Sequence, residues 1–427
     1  MSWALTITAL AVLGVAFVSR RLSGTPITPA MVFVAIGVLA GPLVLDDINT
    51  PAQGHTVRTL AEATLAVVLF SDAARINLRA LRHQASVPLR LLGIGLPLTI
   101  VFGSLLALAL FGTLSLSEAL ILGVVLAPTD AGLGQAVVTD PRLPETVRQS
   151  LNVESGLNDG VCVPLLLIAL AAASGSSAHA RTVVAEEIGW GIAVGVAVGV
   201  VCAVLTNLAR RRDLIQGAWL QVIPVAAAGL AFGTADALGG SGFIAAFVAG
   251  MLFGNVLHGD TGEVTIFAEE TGALLDGVTF LIFGAVLLGP TLEHASWQMV
   301  LYAALSLTVV RMAPVALALL GTHARAPTVA LLGWFGPRGL ASIVFAVIVQ
   351  DSELANAGPI IATTYLAVGM SVLVHGLSAA PSVDRYVRWY AQRSAGDPAS
   401  MESAPAPELR ARGSAAHAAA ARPGAAA

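Results

Sequence analysis

The sequence predicts an all-α protein that crosses a membrane many times. Of its 427 residues, 56% are hydrophobic and 11% are charged, whereas soluble globular domains carry roughly 25% charged residues. Apolar runs of about 18 or more residues recur from one end of the chain to the other, and each is long enough to cross a bilayer as a helix. All of the basic residues counted as Lys or Arg are arginine, and most of them lie between the apolar runs.

These runs define thirteen predicted transmembrane segments, whose boundaries carry an error of about 2–4 residues. Residues 233–242, between the eighth and ninth segments, are compatible with either a loop or a kink. The segments span about residues 3–19, 27–45, 56–76, 87–112, 116–139, 147–173, 186–209, 217–236, 240–258, 265–289, 296–321, 327–350 and 358–380.

The placement of arginine predicts the orientation of these segments. With thirteen crossings, one side of the membrane carries most of the arginines, whereas the other side carries Asp46, Asp47 and Asp351. Cytoplasmic loops are enriched in basic residues, so we expect the N-terminus outside the cell and the C-terminus in the cytoplasm. Arg311 and Arg338 remain inside predicted helices.

The predicted membrane domain spans residues 1–391, and residues 392–427 form a short tail rich in Ala, Pro and Ser. Such a tail lacks the apolar side chains needed to fold, so we predict that it is disordered. The chain contains no nucleotide-binding fingerprint, and Cys162 and Cys202 lie in apolar runs without metal-binding spacing. We therefore expect no cofactor, no nucleic-acid partner, no coupling to ATP hydrolysis and no enzymatic activity.

Two predicted helices are interrupted by Gly and Pro. The fifth segment contains Pro128 and Gly132, and the twelfth contains the run GPRG at residues 336–339. Interrupted helices in corresponding halves of a membrane protein are typical of an inverted-repeat transporter, whose site lies near the bilayer midplane. Two ordinary proline kinks are the alternative. Asp130 beside the first interruption and Arg338 beside the second favour the transporter.

Ionisable residues inside the membrane predict the site, because carboxylates in lipid are costly and mark ion pathways or proton relays. Asp159, Asn158 and Ser155 share one face of the sixth helix, since they are spaced by three and four residues. Carboxylate, hydroxyl and carbonyl oxygens suit a hard monovalent cation. We predict that Asp159 carries the cation or a proton, with Ser155 and the backbone around Thr129 as further ligands. An Asp that merely hydrogen-bonds for helix packing is the alternative.

The neighbouring polar residues receive supporting roles. Asp130 either sets the field at the site, anchors the ends of the half-helices or ligates the ion, and a simple helix N-cap formed with Thr129 is the alternative. Asn158 is expected to position the neighbouring chain by hydrogen bonding. Glu154 and Arg311 are expected to pair, because either charge alone would be costly in hydrocarbon.

Four further residues are weaker candidates. Arg338 is expected to compensate carbonyl ends or an acid at the second interruption, without a choice of partner. Asp72 lies either at the mouth of the pathway, as an extra oxygen ligand, or at the interface in a pair with Arg75. Glu62 and Asp276 also fall in apolar segments and remain unassigned, and the histidines lie mainly in predicted loops.

Two motifs carry a resemblance to a known family. APTD at residues 127–130 is followed by ESGLNDG at residues 154–160, and together they resemble the monovalent cation:proton antiporter-1 family, the NhaP and NHE type. Ala131 replaces the usual proline after Asp130, and Gly156 stands where leucine is more common, but neither change removes an oxygen ligand. The resemblance covers about residues 5–385.

The resemblance implies a thirteen-helix fold in the cell (inner) membrane, a homodimer, and exchange of sodium or lithium for protons by an elevator-like movement. It implies core helices at about residues 87–173 and 296–380, with dimerisation helices at about 1–45 and 186–289. Residues matching Thr129, Asp130, Ser155 and Asp159 surround the ion in the family, with Asp72 contributing in some members. The Glu154–Arg311 counterparts form an ion pair there.

Asn158 before Asp159 resembles the electroneutral branch of that family. A potassium:proton antiporter remains an alternative, because ligand types do not report the size of the cavity. Outside this class, the same carboxylates could line a cation channel, or Asp130 and Asp159 could share a proton as the dyad of an intramembrane aspartic protease.

Overall fold

The structure is a computed structural model that describes residues 2–22, 25–48, 51–78, 86–173, 178–258, 261–352, 354–392 and 401–403. Within these ranges the regular structure is helical and contains no strand, so the predicted all-α class is confirmed. Most of the predicted tail lies outside the described residues. Within that tail, Met401–Ser403 forms a single 3₁₀ turn.

The first half of the chain forms helices that we label α1 to α7. They are α1 (Ser2–Leu22), α2 (Pro29–Ile48), α3 (Pro51–Ala74), α4 (Ser86–Leu110), α5 (Leu116–Val125), α6 (Gln135–Val138) and α7 (Glu145–Ala173).

The second half forms helices α8 to α16. They are α8 (Ala178–Arg211), α9 (Ala218–Ala237), α10 (Gly242–Val256), α11 (Thr261–Glu293), α12 (Trp297–Leu307), α13 (Val309–Ala318), α14 (Ala326–Trp334), α15 (Leu340–Gln350) and α16 (Ala357–Ala391).

Each predicted segment overlaps a helix or a pair of consecutive helices. Among the described residues, eight helical stretches are long and apolar enough to cross a membrane, and four shorter helices are apolar. Residues 238–241 form a turn between α9 and α10. Of the two alternatives for residues 233–242, the structure therefore shows a loop and not a kink. The number of membrane crossings stays a prediction.

Helix starts in the loops are set by side-chain caps. The Ser115 hydroxyl accepts a hydrogen bond from the Glu118 N–H (3.3 Å), and the Glu118 carboxylate accepts one from the Ser115 N–H (2.8 Å). This reciprocal arrangement is a capping box, which satisfies N–H groups at the start of α5. Ser241 and Ser296 cap α10 and α12 in the simpler way.

Three irregularities were not expected from the sequence. The eleventh predicted segment is broken at Thr308, which separates α12 from α13. Wider π-helical turns occur at Leu91–Gly95 in α4 and at Phe283–Leu288 in α11. Such turns leave the apolar pattern nearly unchanged, so a hydropathy profile does not reveal them.

The described residues of 1–62, 86–177 and 275–406 form one compact unit. Small residues allow α2 and α11 to approach closely there, since a Cβ on Gly37 would lie 2.1 Å from the carbonyl oxygen of Leu281. Buried aromatic side chains, among them Phe33, Phe280 and Phe283, fill the adjoining core. The candidate site lies entirely in this unit.

The described residues of 63–85 and 178–274 form a second compact unit. In it, α8 lies against α10 through glycines, and a Cβ on Gly199 would lie 2.5 Å from the carbonyl oxygen of Ala249. The boundaries of the units differ from the predicted core and dimerisation ranges, because residues 1–62 lie with the first unit. The functional division of the chain stays a prediction.

Candidate ion-binding site

The two interrupted helices meet through their backbones. The first break lies between α5 and α6, and the second lies between α14 and α15. The Asp130 N–H of the first break donates a hydrogen bond to the Pro337 carbonyl of the second (2.8 Å). Because the missing turns leave N–H and C=O groups without helical partners, this contact satisfies one group from each break.

Arg338 of the second break serves the first. Its Nη1 donates to the carbonyl oxygens of Ala127 (2.9 Å) and Pro128 (3.1 Å), just beyond the C-terminal end of α5. A cation is favourable at that end of a helix, where carbonyl oxygens carry partial negative charge. The side chain is fully buried, and its Nε and Nη2 have no hydrogen-bond partner within the described residues. The sequence had left this partner open.

Asp130 of the first break serves both breaks. Its Oδ1 accepts hydrogen bonds from the N–H groups of Gly132 (2.7 Å) and Leu133 (3.3 Å). Its Oδ2 accepts one from the N–H of Leu340 (3.3 Å), the first residue of α15. A carboxylate is favourable at helix N-termini, so Asp130 makes capping contacts at the crossing itself.

Helix α7 supplies the hydroxyl and amide groups that hold the first break. The Ser155 hydroxyl donates to the Thr129 carbonyl (2.5 Å) and accepts from the Ala131 N–H (2.7 Å). The Asn158 Nδ2 donates to the Thr129 hydroxyl (2.6 Å). Thr129, Ser155 and Asn158 are at most 5% exposed, and the Asn158 Oδ1 has no hydrogen-bond partner in the described part of the chain.

Asp159 follows Asn158 on α7 and differs from it in burial. Asn158 is 1% exposed, whereas Asp159 and Asp130 are only half-buried. The geometry therefore brings Thr129, Asp130, Ser155 and Asn158 together by direct hydrogen bonds and places Asp159 next to them along the helix. The arrangement offers oxygen ligands and a partly accessible carboxylate beside two sets of helix ends.

Glu154 and Arg311 form a two-point ion pair. The Arg311 Nη1 and Nη2 donate to the two carboxylate oxygens of Glu154 at 2.5 and 2.8 Å, and both side chains are 2% exposed. Arg311 also packs on the second break, because a Cβ on Gly336 would lie 2.4 Å from its Nε. The pair thus lies between α7 and the second break.

Three further predicted candidates are described by their local contacts. Asp72 belongs to the second unit, where its Oδ1 accepts a hydrogen bond from Arg75 (2.9 Å). Glu62 accepts one from Arg58 (2.7 Å), and Asp276 is half-buried on α11. No role for these three acids follows from their contacts, and the role of Asp72 as a ligand stays a prediction.

Comparison with known proteins identifies the family. Residues 7–385 match the family model described as sodium/hydrogen exchanger, transmembrane. The chain belongs to this family. The resemblance inferred from APTD and ESGLNDG is thereby confirmed, and the chain is a multi-pass membrane protein.

Curated relatives of this chain differ in the ion that their names give. The K(+)/H(+) antiporter NhaP2 of Shewanella oneidensis is 29% identical over an alignment of 384 residues, which covers 84% of this chain and 62% of that protein. The K(+)/H(+) antiporter NhaP of Alkalimonas amylolytica is 25% identical over 90% of this chain and 66% of its own length. The low-affinity Na(+)/H(+) antiporter NhaS1 of Synechocystis sp. is 26% identical over 86% of this chain and 72% of its own. The chain spans only 62% of the length of the Shewanella protein.

Solved structures show the same fold. The sodium proton antiporter MjNhaP1 from Methanocaldococcus jannaschii at pH 8 superposes with a TM-score of 0.73 at 19% identity, covering 90% of this chain and 98% of that one. A structure of the same protein by electron microscopy gives 0.68, covering 92% and 97%. The predicted antiporter fold is confirmed, while the helix count stays open.

Sequence reasoning missed three residues that form hydrogen bonds to the two breaks. The Ser342 hydroxyl donates to the Val125 carbonyl (2.8 Å) at the end of α5, and Ser371 and His375 contact the second break from α16. Because hydroxyl side chains are common in apolar helices, nothing in the sequence selected Ser342 or Ser371 as partners of the breaks. His375 did, because it is an ionisable side chain inside the thirteenth predicted segment.

Proposed function

We propose that this exchanger-family chain is a secondary active transporter that exchanges sodium or lithium ions for protons, with one cation moving against one proton. The observation that carries the proposal is the contact between the two broken helices beside Thr129, Ser155, Asn158 and Asp159. Two interrupted helices that meet beside an acid are typical of secondary transporters.

The oxygen atoms around the first break suit a hard monovalent cation. Asp159 supplies the charge, and the Thr129 and Ser155 hydroxyls each keep a lone pair beyond their hydrogen bonds. The Asn158 Oδ1 is a further neutral oxygen with no hydrogen-bond partner among the described residues. Asp130 accepts three backbone N–H groups, so its main task is to hold the helix ends.

Competition at Asp159 couples the two fluxes. A bound cation or a bound proton each neutralises the carboxylate, and the two exclude one another. The empty, charged carboxylate is costly to move through an apolar barrier, whereas either loaded form is less so. The site therefore changes its access from one side of the membrane to the other with either one cation or one proton bound at Asp159. Since Asn158 does not titrate, the exchange is electroneutral.

The remaining features of the proposal rest on the family resemblance. Asp72 adds an oxygen ligand in one state of the cycle. The chain works as a homodimer in the cell membrane, surrounded by lipid, with its N-terminus outside and its C-terminus in the cytoplasm. Cross-linking in native vesicles and mass measurement in nanodiscs test the dimer, and the accessibility of single cysteines introduced at the two termini tests the orientation.

Potassium is the second candidate ion. It is favoured by the names of two curated relatives, which are called K(+)/H(+) antiporters, whereas a third is called an Na(+)/H(+) antiporter. The ligand atoms are the same for both ions, and selection depends on the size and rigidity of the cavity. The two candidates are separated by direct comparison of the ions.

Purified protein in proteoliposomes provides the test. Dequenching of a pH-sensitive dye inside the vesicles is followed after addition of sodium, lithium or potassium between pH 5 and 9. We expect sodium and lithium to release protons in the wild type and Asp159→Asn to abolish the signal. Asp213→Asn is the matched control, because Asp213 is exposed, has φ of 55°, and Asn tolerates this conformation. Full sodium-driven proton release in Asp159→Asn would refute the assignment.

Imposed membrane potential tests the stoichiometry. Exchange of one cation for one proton moves no net charge, so the rate should not change when a valinomycin potential is applied in the sodium assay. A current that appears on addition of sodium and scales with voltage would contradict the electroneutral proposal. If potassium drives more proton release than sodium at every pH, the ion assignment moves to potassium.

A further inference from the structure

One hydrogen bond of a continuous helix is missing at the second break and is replaced by side chains from α16. In an unbroken α-helix the Arg338 N–H would donate to the Trp334 carbonyl, four residues earlier. Here the Arg338 N–H donates to the Ser371 hydroxyl (2.7 Å). The Trp334 carbonyl accepts the Gly336 N–H (2.9 Å) and also lies 2.9 Å from His375 Nε2. The Ser371 hydroxyl and His375 Nδ1 are 3.1 Å apart.

The directions of these three hydrogen bonds agree with one another. A carbonyl only accepts, so His375 Nε2 carries the hydrogen and donates to Trp334. In the neutral ring Nδ1 is then an acceptor, and it takes the hydroxyl hydrogen of Ser371. The Ser371 oxygen in turn accepts from the Arg338 N–H. The chain therefore runs from Arg338 through Ser371 and His375 to Trp334 without a conflict of donors.

Burial makes this chain of hydrogen bonds matter. Ser371 is fully buried and His375 is 1% exposed. The imidazole lies beside the rings of Trp334 and Phe335, at centroid distances of 5.3 and 6.3 Å. In such surroundings water does not replace a lost partner, and an unpaired backbone group is costly. The Nδ1 also lies 3.1 Å from the Ser371 carbonyl. That carbonyl would accept a hydrogen from Nδ1 in the other neutral tautomer, which would leave Nε2 without a hydrogen for Trp334.

The same peptide unit reaches the candidate site from its other end. The Pro337 carbonyl and the Arg338 N–H belong to one planar peptide group. The carbonyl accepts the Asp130 N–H at 2.8 Å, while the N–H is held by Ser371. The plane is thus fixed from both sides, and Asp130 is fixed with it, one residue away from Thr129.

We propose that Ser371 and His375 are positioning residues that replace the missing helical hydrogen bond and thereby fix the second break against Asp130. Neither side chain touches the ion. The inference deepens the proposed function, on which its consequence for transport rests, but its structural part is independent of transport. The interaction is sequence-distant, since Ser371 lies 33 residues beyond Arg338 and His375 lies 41 residues beyond Trp334.

Amide hydrogen exchange of the full-length protein in nanodiscs tests the structural part. We expect Ser371→Ala to speed exchange at the Arg338 amide by about tenfold or more, because its acceptor is removed. Thr364→Val is the matched control: Thr364 is a fully buried residue of the same helix whose hydroxyl donates to its own backbone, at Ile360. It should leave the Arg338 amide unchanged. Equal exchange in Ser371→Ala and the wild type would overturn the inference.

Two substitutions of His375 separate hydrogen bonding from packing. In His375→Gln the side-chain amide can reach the Trp334 carbonyl, whereas His375→Leu fills the space without a donor. We expect Gln to retain sodium-driven proton release within about threefold of the wild type and Leu to raise the apparent KM for the ion about tenfold, by loss of one buried hydrogen bond. Indistinguishable Gln and Leu variants would overturn the positioning role.

The outcomes also separate this inference from the proposed function. If the wild type exchanges no cation but Ser371→Ala still speeds exchange at the Arg338 amide, the function fails and the positioning pair stands. If the wild type transports ions, and neither Ser371→Ala nor His375→Leu alters hydrogen exchange at the Arg338 amide or ion transport, the proposed function stands and the positioning role of Ser371 and His375 fails. Ser371→Thr keeps the hydroxyl, so hydrogen exchange at its Arg338 amide should be as slow as in the wild type. This variant provides the test if Ser371→Ala folds poorly.

Discussion

The two breaks differ in charge and in the helix that supports them. The first carries the acid Asp130 and is held by Ser155 and Asn158 of α7. The second carries the base Arg338 and is held by Ser371 and His375 of α16. Each charged side chain forms hydrogen bonds to a helix end of the other break. Asp130 also accepts hydrogen bonds from backbone N–H groups of its own break.

Burial separates their tasks. Residues 335–340 of the second break are all buried, whereas Asp130 and Asp159 beside the first are half-buried. The first break therefore carries the more accessible acids, whereas the second is enclosed by its neighbours. Opposite charges at opposite helix ends explain why the crossing is tolerated, since each charge meets the helix end of complementary polarity.

The largest effect is expected from the ion pair that lies between α7 and the second break. Removing one partner of a buried pair costs about 3–5 kcal/mol, because the other charge is left uncompensated. Glu154→Ala should therefore lower the free energy of unfolding by about that amount in mixed-micelle unfolding titrations. Glu154→Leu combined with Arg311→Met should recover most of the loss. A double variant as unstable as the single one would contradict this reasoning.

A methyl group added at either break tests the difference in crowding. A Cβ on Gly339 would lie 2.0 Å from Asp130 Oδ2, whereas a Cβ on Gly134 would meet nothing closer than 3.7 Å. Gly339→Ala should cost about 3 kcal/mol by overpacking and displace Asp130. Gly134→Ala should remain near wild-type stability and transport. Equal tolerance of both substitutions, measured by unfolding and by sodium-driven proton release, would remove the contrast between the breaks.

A smaller effect is expected at the first break. Thr129→Val keeps the shape of the side chain but removes the acceptor of the Asn158 amide, which should cost about 1–2 kcal/mol and raise the apparent KM for the ion. Thr129→Ser keeps the hydroxyl and should stay close to the wild type in both measurements. If Val and Ser variants behave alike, the hydrogen bond at 2.6 Å contributes little.

The smallest effect is expected at the far end of the second broken helix. Glu402 is 5% exposed, accepts a hydrogen bond from the Arg325 N–H at the start of α14 (3.0 Å) and bonds the Thr328 hydroxyl. Glu402→Gln removes the charge but keeps an acceptor, so it should cost about 0.3–1 kcal/mol through the helix dipole. Exposed Glu293 offers the control Glu293→Gln, which should change nothing. If Glu402→Gln lowers the free energy of unfolding as much as Glu154→Ala does, the turn Met401–Ser403 does more than cap α14.

Much of the fold was predictable because its signals are local. Long apolar runs, Pro128, the GPRG run and acids within apolar helices are visible in the sequence, and they led to the helix order, the two breaks and the family. The break at Thr308 and the two π-helical turns were missed, since none of them interrupts the apolar pattern. The site was predicted as a set of residue types, without the hydrogen bonds that join them.

The sequence by itself determined which residues are too costly to leave unpaired in lipid: Asp130, Asp159, Glu154, Arg311 and Arg338. Only the tertiary structure decided how the breaks are satisfied, since Arg338 reaches the carbonyls of Ala127 and Pro128 and the lost helical bond at Trp334 is completed from α16. The physical reason is the range of the forces. Desolvation of a charge depends on the residue and its apolar neighbours in the chain, whereas a hydrogen bond needs a partner within about 3 Å. The hydrogen-bond partners of the Arg338 side chain are separated from it in the sequence by more than two hundred residues.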